Sequence, residues 1–259
     1  MLWDYLESLP WSLGALIMVV GLVLFAIAGV LIVRKTINQK TLRSHHDVAA
    51  VVFANVGVLY AVLLGFTVVN VQTRFDKIKE TAHLEASYLA ELFRDSEVFP
   101  EANKIEIRTA LRNYGKSVLT DEWVTMNQKN FSILVNQNLH NVWKAYYAIE
   151  PKTNREIAWY NQSIDKLNNL MTTRLTRILG SKESLGGEMW SLLLIGGFVL
   201  TGFMGFFGLE NLTSHIMMAS ILAAVTAFLL FLIYSLDTPF SGNLTVSTTV
   251  YDNVLKLLN

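Results

Sequence analysis

Four stretches of this chain contain no Asp, Glu, Lys, Arg or His: residues 13–33, 48–73, 189–209 and 216–236. Each is longer than the roughly 18 residues a helix needs to cross about 30 Å of hydrocarbon. The 259-residue chain has 16% charged residues, against about 25% in soluble domains, and these gaps account for the deficit. An all-α integral membrane protein is expected, with spans near 12–33, 48–72, 189–209 and 215–236. The leader "MLWDYLESLPW" has no positive charge and carries Asp4 and Glu7, unlike a cleaved signal. The first run therefore reads as a retained span, with Trp3, Tyr5 and Trp11 as interfacial anchors.

The spans form two pairs, and three segments follow: 1–73, an extramembrane 74–188, and 189–259 with a short tail. The middle segment holds 16 of the 21 basic residues and reads as helical. Phe75, Ile78, Ala82, Leu89 and Phe93 continue the second span outward, and Pro100 ends that helix. Ile107, Leu111, Tyr114 and Val118 mark the next stripe. Leu134, Leu139, Val142, Tyr146 and Ile149 mark a third helix, which ends before Pro151. Thr153 and Glu156 have capping-box spacing and open a fourth, with stripe Ile157, Tyr160, Ile164, Leu167, Met171, Leu175 and Ile178. Gly180 is expected to cap it. Sidedness is split: Arg34, Lys35, Lys40 and Arg43 place the first loop in the cytoplasm, whereas Arg74, Lys77, Lys79, Arg174, Arg177 and Lys182 pull the insert there.

Zero formal charge argues against a nucleic-acid surface, and with no cysteine there is neither a disulfide frame nor a thiolate metal site. His45, His46 and Asp47 open the second span. Adjacent helical residues diverge by about 100°, which suits a metal poorly. The triplet reads as an interfacial collar with Asp47 as N-cap, or as a pH sensor. Within the span, Asn55, Leu59, Val62, Phe66 and Asn70 share one face, the amides about 22 Å apart along the axis. A polar amide is costly against lipid. The face is therefore either a hydrogen-bonded helix seam or a pore wall with amide-lined ends and an apolar neck. Gly197, Thr201 and Gly205 recur every fourth residue, permitting close helix packing. No ionisable group lies inside a span, which disfavours proton relays and voltage sensors. No catalytic or cofactor motif is present, so neither enzyme activity, a cofactor nor a metal is expected.

The segments "HHDVAAVVFANVGVLYAVLLGF", "LLLIGGFVLTGFMGFFGL" and "LDTPFSGNLTVST", within two spans, an insert and two spans, resemble the bestrophin-like family of bacterial membrane proteins. More distantly, the chain resembles the bestrophin chloride channels. That resemblance implies a pentameric passive anion channel in the bacterial inner membrane, with the second span lining a hydrophobic neck. Asp237, Pro239, Phe240 and Gly242 echo the family's turn after the fourth span. "NLTVST" follows where an acidic calcium clasp would need carboxylates, so no clasp is expected. Val62, Phe66 and Asn70 keep the neck's spacing and part of its chemistry. The partners expected are the bilayer, further copies of the chain and small anions. The alternative is a non-conducting sensor or scaffold whose insert binds a partner.

Overall fold

A computed structural model describes residues 10–241 and 244–258. Among these there is no β-strand. The helices are α1 (Trp11–Thr36), α2 (Gln39–Ser44), α3 (His46–Asp95), α4 (Glu101–Ser117), α5 (Trp123–Asn127), α6 (Ile133–Tyr147), α7 (Asn154–Lys182), α8 (Gly187–Phe203), α9 (Leu212–Asp237) and α10 (Thr249–Leu257). Four are long and apolar enough to cross a membrane: α1, α3, α8 with the 3-10 turn Met204–Phe206, and α9. The chain divides into two compact units. One runs to Thr73 and resumes over Leu185–Leu244; the other is Arg74–Ser184 with Thr245–Asn259.

In the first unit α1 lies along α9, joined through small side chains. Ala15, Ala26, Ala219 and Ala223 are all buried. Lipid tails are as apolar as leucine, so helices in a bilayer associate by close packing, which small residues permit. Trp11 sets its ring edge-on to Phe228 and Phe231 of α9. The third span ends earlier than its apolar run, at Phe203 and the turn Met204–Phe206. Asn211 then caps α9 by accepting hydrogen bonds from the Thr213 and Ser214 N–H groups.

α3 is one helix of 50 residues. Neither Gly nor Pro interrupts its sequence between Phe66 and Phe99, and the helix gives way only at a 3-10 turn, Ser96–Val98, before Pro100. In the second unit Phe75, Ile78, Ala82 and Leu89 are buried, as are Ile107, Leu111, Tyr114 and Val118 of the α4 stripe. The capping box of Thr153 and Glu156 is formed in both directions.

Four expectations are corrected. Leu134 is exposed and its neighbour Val135 buried, because the helix turns the following residue inward. On α7, Ile157, Met171 and Leu175 are exposed. The inward side of that helix keeps Leu167 and Ile178 of the expected stripe and adds Ser163, Lys166, Leu170, Arg174, Arg177 and Ser181. Gly180 does not cap α7. It lies inside the helix, where a Cβ would come 3.0 Å from Ile78 Cγ1, so it serves close approach. The tail does not stay with the last two spans but joins the second unit. Tyr251 is fully buried there with its ring edge-on to Trp123, and Arg112 Nε donates to the Leu258 carbonyl at 2.6 Å.

Candidate functional site

Over the first unit, α3 has two unlike sides. Tyr60, Leu64, Thr67 and Val71 are buried, at spacings of 4, 3 and 4 that keep them on one side of a helix. Tyr60 Oη donates to the Leu193 carbonyl at 2.8 Å, and Thr67 Oγ1 to that of Leu63. Phe53, half-buried, sets its ring tilted against Phe203 and edge-on to Phe207.

The other side carries the five candidate residues. Asn55 and Asn70 are exposed, and Leu59, Val62 and Phe66 are 73%, 51% and 74% exposed. All five therefore share a face that the chain's own first unit leaves uncovered. Asn55 Nδ2 donates to the Val51 carbonyl one turn back at 2.8 Å. An amide has two N–H donors and an acceptor oxygen, so the group retains a second N–H and its Oδ1 for whatever meets this face.

At the start of the helix, His45 is the C-cap of α2, and its carbonyl accepts the Ala49 N–H. His46 sets its ring edge-on to Phe207 at 5.4 Å. The expectation that Asp47 is the N-cap is corrected. α3 begins at His46, so Asp47 lies within the first turn, where its charge still meets the positive end of the helix dipole.

Thr201 is fully buried and donates to the Gly197 carbonyl at 2.7 Å. A Cβ on Gly197 would lie 3.0 Å from Tyr60 Oη, and one on Gly205 3.1 Å from the Gly29 carbonyl oxygen. Asp237 ends α9 and is buried, as is Phe240 two residues beyond Thr238. Gly242, like Trp3 and Tyr5, lies outside the described residues. Asp237 does more than mark a turn. Its carboxylate accepts the Leu185 N–H at 2.8 Å and the Trp190 Nε1–H at 3.1 Å, tying the end of the last span to the start of the third.

Sequence reading missed a buried group of charges in the second unit. Arg177 donates through Nε and Nη2 to Glu85 at 2.6 and 3.0 Å, and through Nη2 to Glu122 at 2.8 Å. Arg174 donates to Glu122 through Nε and Nη2, and to Asn136 Oδ1 at 2.7 Å. Tyr114 Oη donates to Glu85 at 2.6 Å, and the Arg177 guanidinium lies 5.0 Å over the Trp123 ring. The two carboxylates and two guanidiniums cancel in charge. Burial pushes the Glu122 carboxyl up, but the hydrogen bonds and charges of Arg174 and Arg177 outweigh it, and the net displacement is downward. Burial, then the charge of Glu85, pushes the Tyr114 phenol well above its ordinary value. Glu122 reaches the group from the π-helical turn Val118–Glu122. The wider winding of such turns redirects side chains and recurs at functional positions.

Comparison with known proteins gives two kinds of match. A family model described as Bestrophin-like domain covers residues 20–251. Similar solved structures include three of a bacterial bestrophin homologue from Klebsiella pneumoniae, each 13% identical to this chain. Two are variants, with TM-scores of 0.73 (94% of this chain and 96% of that one) and 0.72 (93% and 97%). The third, phased on zinc, has a TM-score of 0.70 (94% and 96%). No curated protein matches. At that identity the structures establish the fold.

Proposed function

Because this chain belongs to the bestrophin-like family, whose model covers most of its length, we propose that it is a passive ion channel formed by several copies of the chain. The conduction path lies on the symmetry axis and is walled by α3 from each subunit. Small anions are the permeant species. The amides of Asn55 and Asn70 offer N–H groups at the two ends, and Leu59, Val62 and Phe66 make a neck that gates by dewetting.

One observation carries this reading: the amide-bounded stripe of α3 is the side that the chain's own helices leave uncovered. Two amides facing acyl chains would each leave polar groups unpaired at a cost of several kcal/mol. Water, or another subunit's polar groups, removes that cost. The exposed Phe66 also gives the face a bulky apolar ring between its polar ends.

A second reading has its own support. α3 runs unbroken from the stripe to Glu85, which is locked to Arg177. A non-conducting sensor would use such a rod to carry motion between a partner on the helical insert and the bilayer.

The test is chloride efflux from liposomes containing purified, verified oligomer. The channel reading expects chloride efflux from the wild type and a several-fold faster efflux from Phe66→Ala, whose neck is wider. No efflux from either protein would overturn it in favour of the sensor.

A further inference from the structure

Between α6 and α7, within the second unit, lies a cleft of ≈ 450 Å³. Trp143 and Tyr147 come from α6, and Tyr160, Asn161, Ile164, Asp165 and Asn168 from α7. The Trp143 and Tyr147 rings are 5.6 Å apart and tilted by 34°, and Tyr147 is 69% exposed at the rim. Asp165 is the charged side chain of this lining. No ion pair to its carboxylate is found among the described residues. The positions three and four residues away on α7 are Asn161, Gln162, Asn168 and Asn169, so none offers a cation. Asp165 shares the lining of the cleft with three electron-rich rings.

Those groups restrict what can fill the cleft. An anion meets the carboxylate and the negative faces of the rings, and is repelled. A wholly apolar molecule would strip water from the carboxylate and both amides without replacing it. A bare metal ion needs several oxygen ligands, usually with more than one carboxylate, and three of the large side chains here are rings. An organic ammonium ion suits all of the lining. Its diffuse positive charge pairs with Asp165, its alkyl groups lie on the π faces of Trp143, Tyr147 and Tyr160, and any N–H it carries meets Asn161 or Asn168. We propose that this cleft binds a small soluble organic ammonium ion. The assignment stands apart from conduction, since every residue in it belongs to the second unit.

The probe is radiolabelled choline, with the intact protein in detergent micelles and bound ligand read by equilibrium dialysis. Saturable binding is expected, displaced by tetramethylammonium and not by the neutral isostere 3,3-dimethylbutan-1-ol. Trp143 also packs against the unit's core, so the variants are chosen at exposed positions. Asp165→Asn is expected to weaken binding about fivefold, the order of one solvent-facing charge. Tyr147→Ala is expected to weaken it about threefold, the order of one exposed ring. Absence of saturable choline binding, equal displacement by the neutral alcohol, or unchanged affinity in both variants would each overturn the proposal. So would displacement of choline by dispersed phosphatidylcholine at a lower concentration than by tetramethylammonium, since the site would then take a lipid headgroup.

Discussion

Glu122 is fully buried between two guanidiniums. Such a pair contributes little when complete, but removing one member leaves the other charge unanswered, at about 3–5 kcal/mol. Glu122→Gln is therefore expected to lower the stability of the second unit by that order, seen as a drop in its thermal midpoint in detergent. Acid does the same by titration. The carboxyl is held below its ordinary value of 4.5 in the fold, so its stabilisation is complete above that value and is lost as pH falls through the depressed one. Thermal scans at descending pH should show a steepening loss below the ordinary glutamate range, and Glu122→Gln should flatten that part of the profile. A midpoint equally acid-sensitive in the variant would contradict this assignment. Arg174 and Arg177 look from the sequence like cations flanking a span, and nothing local distinguishes them. Their carboxylate partners lie 52 to 92 residues away, and Glu122 reaches them through a π turn that no periodicity announces.

At the scale of elements, the apolar runs were legible because hydrocarbon thickness sets their length and a single ion would interrupt them. The stripe at 107, 111, 114 and 118, along α4 and into the π turn, was legible for a related reason, since these four inward residues are aliphatic or aromatic. On α7 the same reasoning held only in part. The inward side of that helix keeps Leu167 and Ile178 of the expected stripe but mixes them with Lys166, Arg174 and Arg177, whereas Met171 and Leu175 face outward, so hydropathy marks the inward face only in part. Helix contacts in the first unit depend on glycine, and the cost of a methyl group should follow its surroundings. A Cβ on Gly208 would lie 2.7 Å from the Arg43 backbone nitrogen, in the loop that packs on α2, whereas one on Gly21 meets nothing within 4 Å. Gly208→Ala is expected to destabilise by about 1–3 kcal/mol and Gly21→Ala to be neutral or slightly stabilising, both read as shifts in thermal midpoint. Equal effects would show that the close approach carries no energy.

For the whole molecule, an integral membrane protein of the bestrophin-like family, the central proposition concerns what one chain cannot display. A single copy leaves a stripe of α3 bare, with amides at its ends and Leu59, Val62 and Phe66 between them. Sequence alone identified that stripe through its spacing, but left it divided between a helix seam and a pore wall, since both place amides on one face of a span. Copies arranged about an axis turn such a face toward water; a dry seam or a lipid-facing surface does not. The chain has no cysteine, so single cysteines can be placed without background. The most direct measurement is the rate at which a membrane-impermeant charged thiol reagent modifies Leu59→Cys, Val62→Cys and Phe66→Cys in liposomes. Modification of all three, slowed by a permeant anion in excess, is the predicted result. Protection of all three in a verified oligomer would contradict an aqueous path along α3.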